Sequence, residues 1–510
     1  MAAPLMNCIL KFQALLVLVI CQSCGSENEG PDQTVTTAGK LAGQPNIILV
    51  TVDTLRADHM SAYGYYRETS PNLERLASKG VLFESAYSTM GTTLPAHLSI
   101  MTGLYPHQHG YVANHGAMSG GFQSGAGRRA IAEFLSKDGY RTAAFVSGPT
   151  VAKITGLNAG FDEWDQHEFV ALKSMASTSR PSSETVEKAI NWLENAPSEP
   201  FFLWVHFWDP HEPNIPEEPY AAHFQSDAAQ ELLIDERKIQ PEVLAENFDE
   251  EELARLFSPA WGRNGGEIEL PTIDREAIRQ LLNRYDADVL ATDAALGRLM
   301  DSLSDRSFFD DSLFIFTSDH GQALGQHDWL EHGRIQGENV HVPLVMYFPG
   351  DVIEQPMRVS DVVSSVDIFP TIMARLDTVS AAELLDQASG EDLFSGEYLR
   401  RFAYSQRSVR ERDWEPGADE KDGLKFGLTT SRWKYYHRPE GTDELYDLSV
   451  DPGELIDVAQ DHPDVIETLE RHVLAILSRR PYSPEARKGP ETEEMRRFRE
   501  TLGQIGYVGK

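Results

Sequence analysis

Apolar residues gather in five continuous runs instead of alternating with polar ones. Asn46 to Asp53 reads Asn-Ile-Ile-Leu-Val-Thr-Val-Asp, and Thr142 to Ser147, Phe201 to Phe207, Ser312 to Asp319 and Val342 to Phe348 are of the same kind. Runs without alternation suit parallel strands buried on both faces. Helical patterns separate them. Ser70-Pro71 opens one that Gly80 stops, Ile131 to Lys137 ends at Asp138-Gly139, and Pro181 to Asn195 and Arg275 to Leu303 are longer. This alternation predicts an α/β fold, a large doubly wound and mostly parallel sheet flanked by helices.

Past Asp367-Ile-Phe-Pro-Thr-Ile-Met a helix is expected to close the large domain near residue 377. Short strands at Lys425 to Thr430 and Lys434 to His437, then a helix from Pro463 to Ser478, predict a smaller C-terminal α+β domain over 378–510. Within the large domain, 45–377, residues 212–275 are rich in Glu, Pro and Ala and read as an acidic helical insertion. A solvated surface excursion is the commoner form of such a segment; a lid over a site is the alternative.

The start of the chain changes the picture of where the protein works. Lys11 precedes an apolar stretch, Phe12 to Ile20, too short to span a bilayer. Gln22-Ser23-Cys24-Gly25 follows and resembles a bacterial lipoprotein cleavage site, although Cys21 stands where an aliphatic residue is usual. Residues 1–24 therefore read as an export signal, with lipidation of Cys24 or plain secretory cleavage as its two outcomes, and 25–44 as a polar tether. The expected location is the periplasm or cell surface of a bacterium, with a lipid anchor in the first case.

All three cysteines, Cys8, Cys21 and Cys24, lie in this leader, which excludes a cysteine zinc site or thiol nucleophile downstream. A formal net charge of -34 leaves no basic surplus for a nucleic acid duplex.

Ligands of doubly wound sheets sit beyond the carboxyl ends of strands. Asp53 and Asp319 each end one of the runs, and His206, Asp209 and His211 cluster at the end of another. In Thr92-Thr93-Leu-Pro-Ala-His97, Pro95 suits a first helical turn, which places Thr93 at or just before a helix N-terminus where backbone N–H groups favour an anion. Thr93 alone reads more simply as a helix cap. Asp319-His320-Gly321 is a compact ligand pair, though a turn hydrogen bond explains a lone Asp-His as well. His206 reads as a hydrogen-bonded core histidine sooner than as a ligand. Two carboxylates, an imidazole and a hydroxyl make a mixed O/N set that suits Zn²⁺ or Mn²⁺ better than Ca²⁺.

The joint order of these elements carries a resemblance. Asp53-Thr-Leu-Arg-Ala-Asp58-His, Tyr63-Gly64-Tyr65, Ser70-Pro71-Asn72-Leu, Thr102-Gly103-Leu-Tyr-Pro and His109-Gly110 resemble the opening of the sulfatase family of the alkaline phosphatase superfamily. Thr317-Ser-Asp-His-Gly, Val342-Pro-Leu and Leu445-Tyr-Asp-Leu-Ser-Val-Asp-Pro resemble its middle and tail. The resemblance implies a metal-dependent ester hydrolase in which Asp53, Asp319, His320 and Thr93 hold the metal and Thr93 is the nucleophile. It further implies that Asn114, His211 and His332 contact the reacting group. His97 stands where the family has Arg, and either orients Thr93 or packs under its helix. A second ion would need Asp209 with His206, His211, His327 or His332.

The sequence departs from the family at Thr93, Thr54, His97 and His320. Typical sulfatases carry a Cys or Ser that is oxidised to formylglycine. No formylglycine is expected here, because the β-carbon of threonine carries a methyl group. The departures resemble superfamily members with a Thr nucleophile that act on phosphorus. The reading is a phosphoester or phosphonate hydrolase, phosphodiesterase chemistry included, acting on a small or glycan-linked anionic ester. A true sulfuric ester hydrolase, a transferase of phospho-alcohol groups onto an envelope glycan or lipid, and a non-catalytic binding protein on the same fold are the alternatives.

Overall fold

The computed structural model describes residues 39–114, 121–125, 127–167, 179–195, 200–258, 272–350, 356–378, 386–395, 402–407, 424–439 and 441–479. The chain divides into Met1–Thr34, which lies outside the described residues, so the expected export signal and Cys24 do too, and Val35–Lys510, which carries everything below.

An eight-stranded sheet forms the centre. Its strands are β1 (Asn46–Val52), β2 (Val81–Tyr87), β3 (Arg141–Val146), β4 (Glu163–Gln166), β5 (Phe201–Phe207), β6 (Ser312–Ser318), β7 (His341–Tyr347) and β8 (Met357–Ser364), in the spatial order β4-β3-β5-β1-β6-β7-β2-β8. Every neighbouring pair is parallel except the two that β7 makes, with β6 and with β2. The apolar runs are β1, β3, β5, β6 and β7, as expected. All seven residues of β5 are buried, and an aromatic or aliphatic side chain buried in this way contributes roughly 1.5–3 kcal/mol. The reversal of β7 was not legible, because burial on both faces looks alike in either direction. The more polar β2, β4 and β8 gave no continuous run.

Helices cover both faces: α1 (Pro71–Ala77), α2 (Thr93–Thr102), α3 (Ile131–Lys137), α4 (Ser182–Leu193), α5 (Ala228–Glu236), α6 (Pro241–Asn247), α7 (Glu250–Phe257), the 31-residue α8 (Arg275–Asp305) and α9 (Ile368–Arg375). Two apolar clusters result, one containing Leu94, Leu98, Phe134 and Ile372, the other Val205, Leu281 and Leu299. The sheet is thus sandwiched, the arrangement expected of a doubly wound fold.

The insertion differs from the solvated excursion expected of it. Ile234, Leu244, Phe248, Leu253, Leu256 and Phe257 from α5 to α7 join the second cluster. Its acidic residues supply the outward faces of short amphipathic helices, so composition alone concealed a packed layer. Residues 259–271 of this segment lie outside the described residues.

The smaller sheet is antiparallel, in the order β12-β11-β10-β9, from β9 (Ala403–Arg407), β10 (Lys425–Thr429), β11 (Trp433–His437) and β12 (Glu444–Asp447). Helix α10 (Pro463–Leu477) packs on it through Leu469, Val473 and Ile476. Among the described residues no helix is long and apolar enough to cross a membrane.

Candidate active site and metal centre

The pairing of the three central strands places the site. Val52 lies opposite Phe207 of β5 and Ser318 of β6, so Asp53 and Asp319 leave their strands side by side. Thr54 follows with φ 55°, a left-handed conformation unusual for a β-branched residue and worth on the order of 1–3 kcal/mol of strain. The turn aims the Thr54 N–H at Asp319 Oδ1, 3.3 Å away, and the Leu55 N–H at Ser318 Oγ, 3.1 Å away. After His320 the chain needs Gly321, where a Cβ would lie 2.2 Å from the Glu338 carbonyl oxygen.

Helix α2 brings the hydroxyl. Thr92 occupies the cap position without a side-chain cap bond, and Thr93 is the first helical residue, so Thr93 is not the cap. Gly103, in the left-handed region, ends the helix. The Leu94 N–H donates to Asn114 Oδ1 at 2.9 Å, which fixes Asn114 against the opening turn. Thr93 Oγ1 is 3.3 Å from His320 Nε2. His320 Nδ1–H donates to the Gly321 carbonyl at 2.9 Å. A neutral ring bonded in that way keeps its lone pair on Nε2, facing Thr93, Asp53 Oδ1 at 3.7 Å and Asp319 Oδ2 at 3.6 Å. His97 does more than pack under the helix: its Nδ1–H donates to the Thr93 carbonyl at 2.9 Å, one turn back.

Asp53, Thr93, His97, Asp319 and His320 are fully buried. Burial, then the nearby Asp319 and Glu212, raise Asp53 well above the ordinary carboxylate range, and burial raises Asp319. Burial also pushes His320 down to about 3 and His97 to about 4, so both are neutral near pH 7. Both oxygens of Asp53 and Oδ2 of Asp319 are buried without a hydrogen-bond donor. Asp53, Asp319 and His320 offer ligand atoms within 4.8 Å of one another. Orphaned carboxylate oxygens beside an acceptor nitrogen are a donor set for a cation.

Beside this centre lies a second group. His211 stacks on Trp208, with ring centroids 4.0 Å apart, and its ring is 5.2 Å from that of His332, which is in turn 4.8 Å from His320. His211, Glu212 and His332 also offer ligand atoms within 4.8 Å. The His211 Nδ1–H donates to the Glu212 carbonyl at 2.7 Å. Arg255, from α7 of the insertion, is buried between Glu212, at 3.2 Å, and Glu331. Sequence reasoning missed Glu212, Arg255 and Glu331. Glu212 directly follows His211 and could have been caught by that adjacency, whereas Arg255 carries no local signal.

Asp209 and His327, two of the residues a second ion would need, are engaged elsewhere. Asp209 Oδ2 accepts from the Ser182 N–H and hydroxyl, at 2.7 and 2.8 Å, and so serves the start of α4. His327 turns away to Glu338, at 2.7 Å, and the Glu454 carbonyl, at 3.2 Å. His206 reaches the centre, with Nε2 3.8 Å from Asp53 Oδ2, and His211 and His332 lie beside it.

A family model described as Sulfatase matches residues 45–378, and one described as N-sulphoglucosamine sulphohydrolase, C-terminal, matches 325–478. The chain belongs to the sulfatase family. It is 24% identical to an arylsulfatase of Clostridium perfringens, over 86% of this chain and 95% of that one. It is 25% identical to the multifunctional alkaline phosphatase superfamily protein PehA of Trinickia caryophylli, over 82% and 91%. The solved phosphonate monoester hydrolase of Agrobacterium radiobacter superposes with a TM-score of 0.65 at 24% identity, over 86% and 96%, and shares the fold. This sulfatase-family member is a hydrolase of anionic esters. Its family is metal-dependent, and Asp53, Asp319 and His320 with the Thr93 hydroxyl fit a divalent cation in number, chemistry and burial.

Proposed function

We propose that Thr93 Oγ1 is the nucleophile of a phosphoester or phosphonate ester hydrolase, exported through its N-terminal signal and either lipidated at Cys24 or released by cleavage. The observation that carries this reading is a buried threonine hydroxyl at the first residue of a helix, 3.3 Å from His320 Nε2 and beside two orphaned carboxylates. A divalent cation bound by Asp53, Asp319 and His320 would lower the pKa of that hydroxyl and draw charge from the transferred group. Mn²⁺ and Zn²⁺ suit the mixed O/N donors better than Ca²⁺.

The residues divide the work as follows. Thr93 gives up its proton as its oxygen forms a bond to phosphorus, the bond to the leaving oxygen breaks in line, and the departing alkoxide takes up a proton to leave as an alcohol. The positive end of the α2 dipole and the side chains of Asn114, His211 and His332 receive the charge on the non-bridging oxygens. His97 holds the Thr93 carbonyl, and through it the attacking side chain, against the sheet. Water then attacks phosphorus and frees Thr93.

Sulfate ester hydrolysis is the second reading, favoured by the likeness to an arylsulfatase. One substrate panel separates the two: p-nitrophenyl phosphate, bis-p-nitrophenyl phosphate, a phenylphosphonate monoester and p-nitrophenyl sulfate, each with Mn²⁺, Zn²⁺ or Ca²⁺. The phosphorus esters are expected to turn over fastest. Hydrolysis of the sulfate alone overturns the reading. A substrate-dependent phosphoryl adduct on Thr93 by mass spectrometry supports it.

A further inference from the structure

Two loops carry histidines beside the centre, and each holds a glutamate next to its histidine. Glu212 follows His211, and Glu331 precedes His332. Both glutamates meet the same guanidinium. Arg255 Nη1 donates to Glu212 Oε1 at 3.2 Å, and Arg255 Nη2 donates to Glu331 Oε1. All five residues are buried. Arg255 comes from α7 of the acidic insertion, a helix held in the second apolar cluster by Leu253, Leu256 and Phe257. The guanidinium is therefore mounted on a packed element.

Each glutamate in turn bears on its histidine. The His211 Nδ1–H donates to the Glu212 carbonyl at 2.7 Å, and the same nitrogen lies 3.4 Å from Glu212 Oε2. The Glu331 carbonyl accepts from the Ala323 N–H at 3.1 Å and from Asn339 Nδ2 at 3.2 Å, which pins the main chain just before His332. Apolar side chains of the insertion rest on this second loop as well. Phe248 meets Trp329 with ring centroids 5.4 Å apart, and a Cβ at Gly325 would lie 2.6 Å from Ile239 Cγ2. Apolar contacts set how closely two layers approach, whereas charge-assisted hydrogen bonds also set direction.

A buried ion triad is a poor source of stability, because desolvation of the charges offsets their attraction and apolar residues of similar volume often do as well. What sets this triad apart is where its two ends lie. We infer that Arg255 is a positioning residue: by clamping Glu212 and Glu331 it holds the rings of His211 and His332 at their spacing, centroids 5.2 Å apart, around the transferred group. The insertion then belongs to the catalytic scaffold and is not only a packed cover. The inference rests on the role of His211 and His332 proposed above. A misplacement of about 1 Å in such a contact can cost about a hundred-fold in rate, so a rigid clamp has a kinetic consequence that its stability does not reveal.

The test is a double-mutant cycle in full-length protein of verified metal content, with whichever ester of the panel turns over fastest. Arg255→Lys keeps the charge but replaces a fork that spans two carboxylates with a single flexible donor. It is expected to lower kcat about ten- to a hundred-fold with KM nearly unchanged. Once His211 and His332 are both alanine, the same substitution should cost little more, because the groups it positions are gone. An equal loss with and without the two histidines, or an unchanged kcat in the parent protein, overturns the inference. Should Arg255→Lys fail to fold, as urea unfolding would show, Glu331→Gln runs the same cycle, since it keeps the shape of the side chain and the Arg255–Glu212 pair. Wild-type turnover in both His211→Ala and His332→Ala removes their contact with the reacting group, and this inference with it, while Thr93 and the cation site stand.

Discussion

Thr93 Oγ1 lies 3.3 Å from Nε2 of His320, although 227 positions separate the two residues. One opens a helix and the other follows the end of a strand, and the ring nitrogen that faces the hydroxyl carries a lone pair, because the other nitrogen is bonded to the Gly321 carbonyl. Hydroxyl, imidazole and two carboxylates thus converge at one point beyond the central strands.

Thr93→Ala is expected to cut turnover of the preferred phosphorus ester by about a thousand-fold or more at saturating metal, as loss of a covalent nucleophile does. Thr93→Ser should keep a measurable fraction, because it retains the oxygen. Steady-state kinetics on protein of verified metal content tests both. Unchanged turnover in the alanine variant would exclude the covalent route.

Arg255 is buried between Glu212 and Glu331, so its removal strands two carboxylates. Arg255→Met is expected to cost about 3–5 kcal/mol in urea unfolding. Restoring part of that loss with Glu331→Gln in the same chain would show that unpaired charge, and not lost packing, is the cause.

His327 and Glu338 set a pH limit at the junction of the two sheets. Burial alone would lower His327, but Glu338 and Glu454 outweigh it and hold the ring up at about 9, while the same pair draws Glu338 down to about 2 despite its burial. A raised histidine stabilises fully below its unfolded value near 6.5 and ceases to do so as pH rises through about 9. The depressed Glu338 contributes above its unfolded value near 4.5 and fails as pH falls through about 2. Stability should therefore fall between about pH 6.5 and pH 9, by on the order of 2–3 kcal/mol. His327→Gln should flatten that slope in denaturant unfolding.

Metal removal should change the sign of another pH effect. In the metal-free protein Asp53 and Asp319 hold their protons more tightly folded than unfolded, so stability falls as pH rises above their ordinary value of 3.8. Divalent metal binds the ionised pair and should oppose that fall. Thermal unfolding across pH 4 to 8, with chelator and with Mn²⁺ or Zn²⁺, is expected to show a midpoint difference that widens towards high pH.

What the sequence determined follows from local physics. The five apolar runs fixed the layered sheet, because strands buried on both faces cannot be polar. Asp53, Asp319 and His320 were legible as candidates because they follow the ends of buried runs, where a doubly wound sheet presents ligand groups. Thr93 was legible through Pro95 and Gly103, which bracket its helix.

Tertiary structure decided everything that depends on contact across long separations. It reversed β7 and packed the acidic insertion inwards. It sent Asp209 and His327 to structural duties, and it brought Arg255 to Glu212. It also surrounded Thr51, an unremarkable strand residue in the sequence, with Trp204, His97 and His206. A side chain's chemistry is printed in the chain, but whether its lone pairs and protons are already spent depends on neighbours that only the packed sheet supplies.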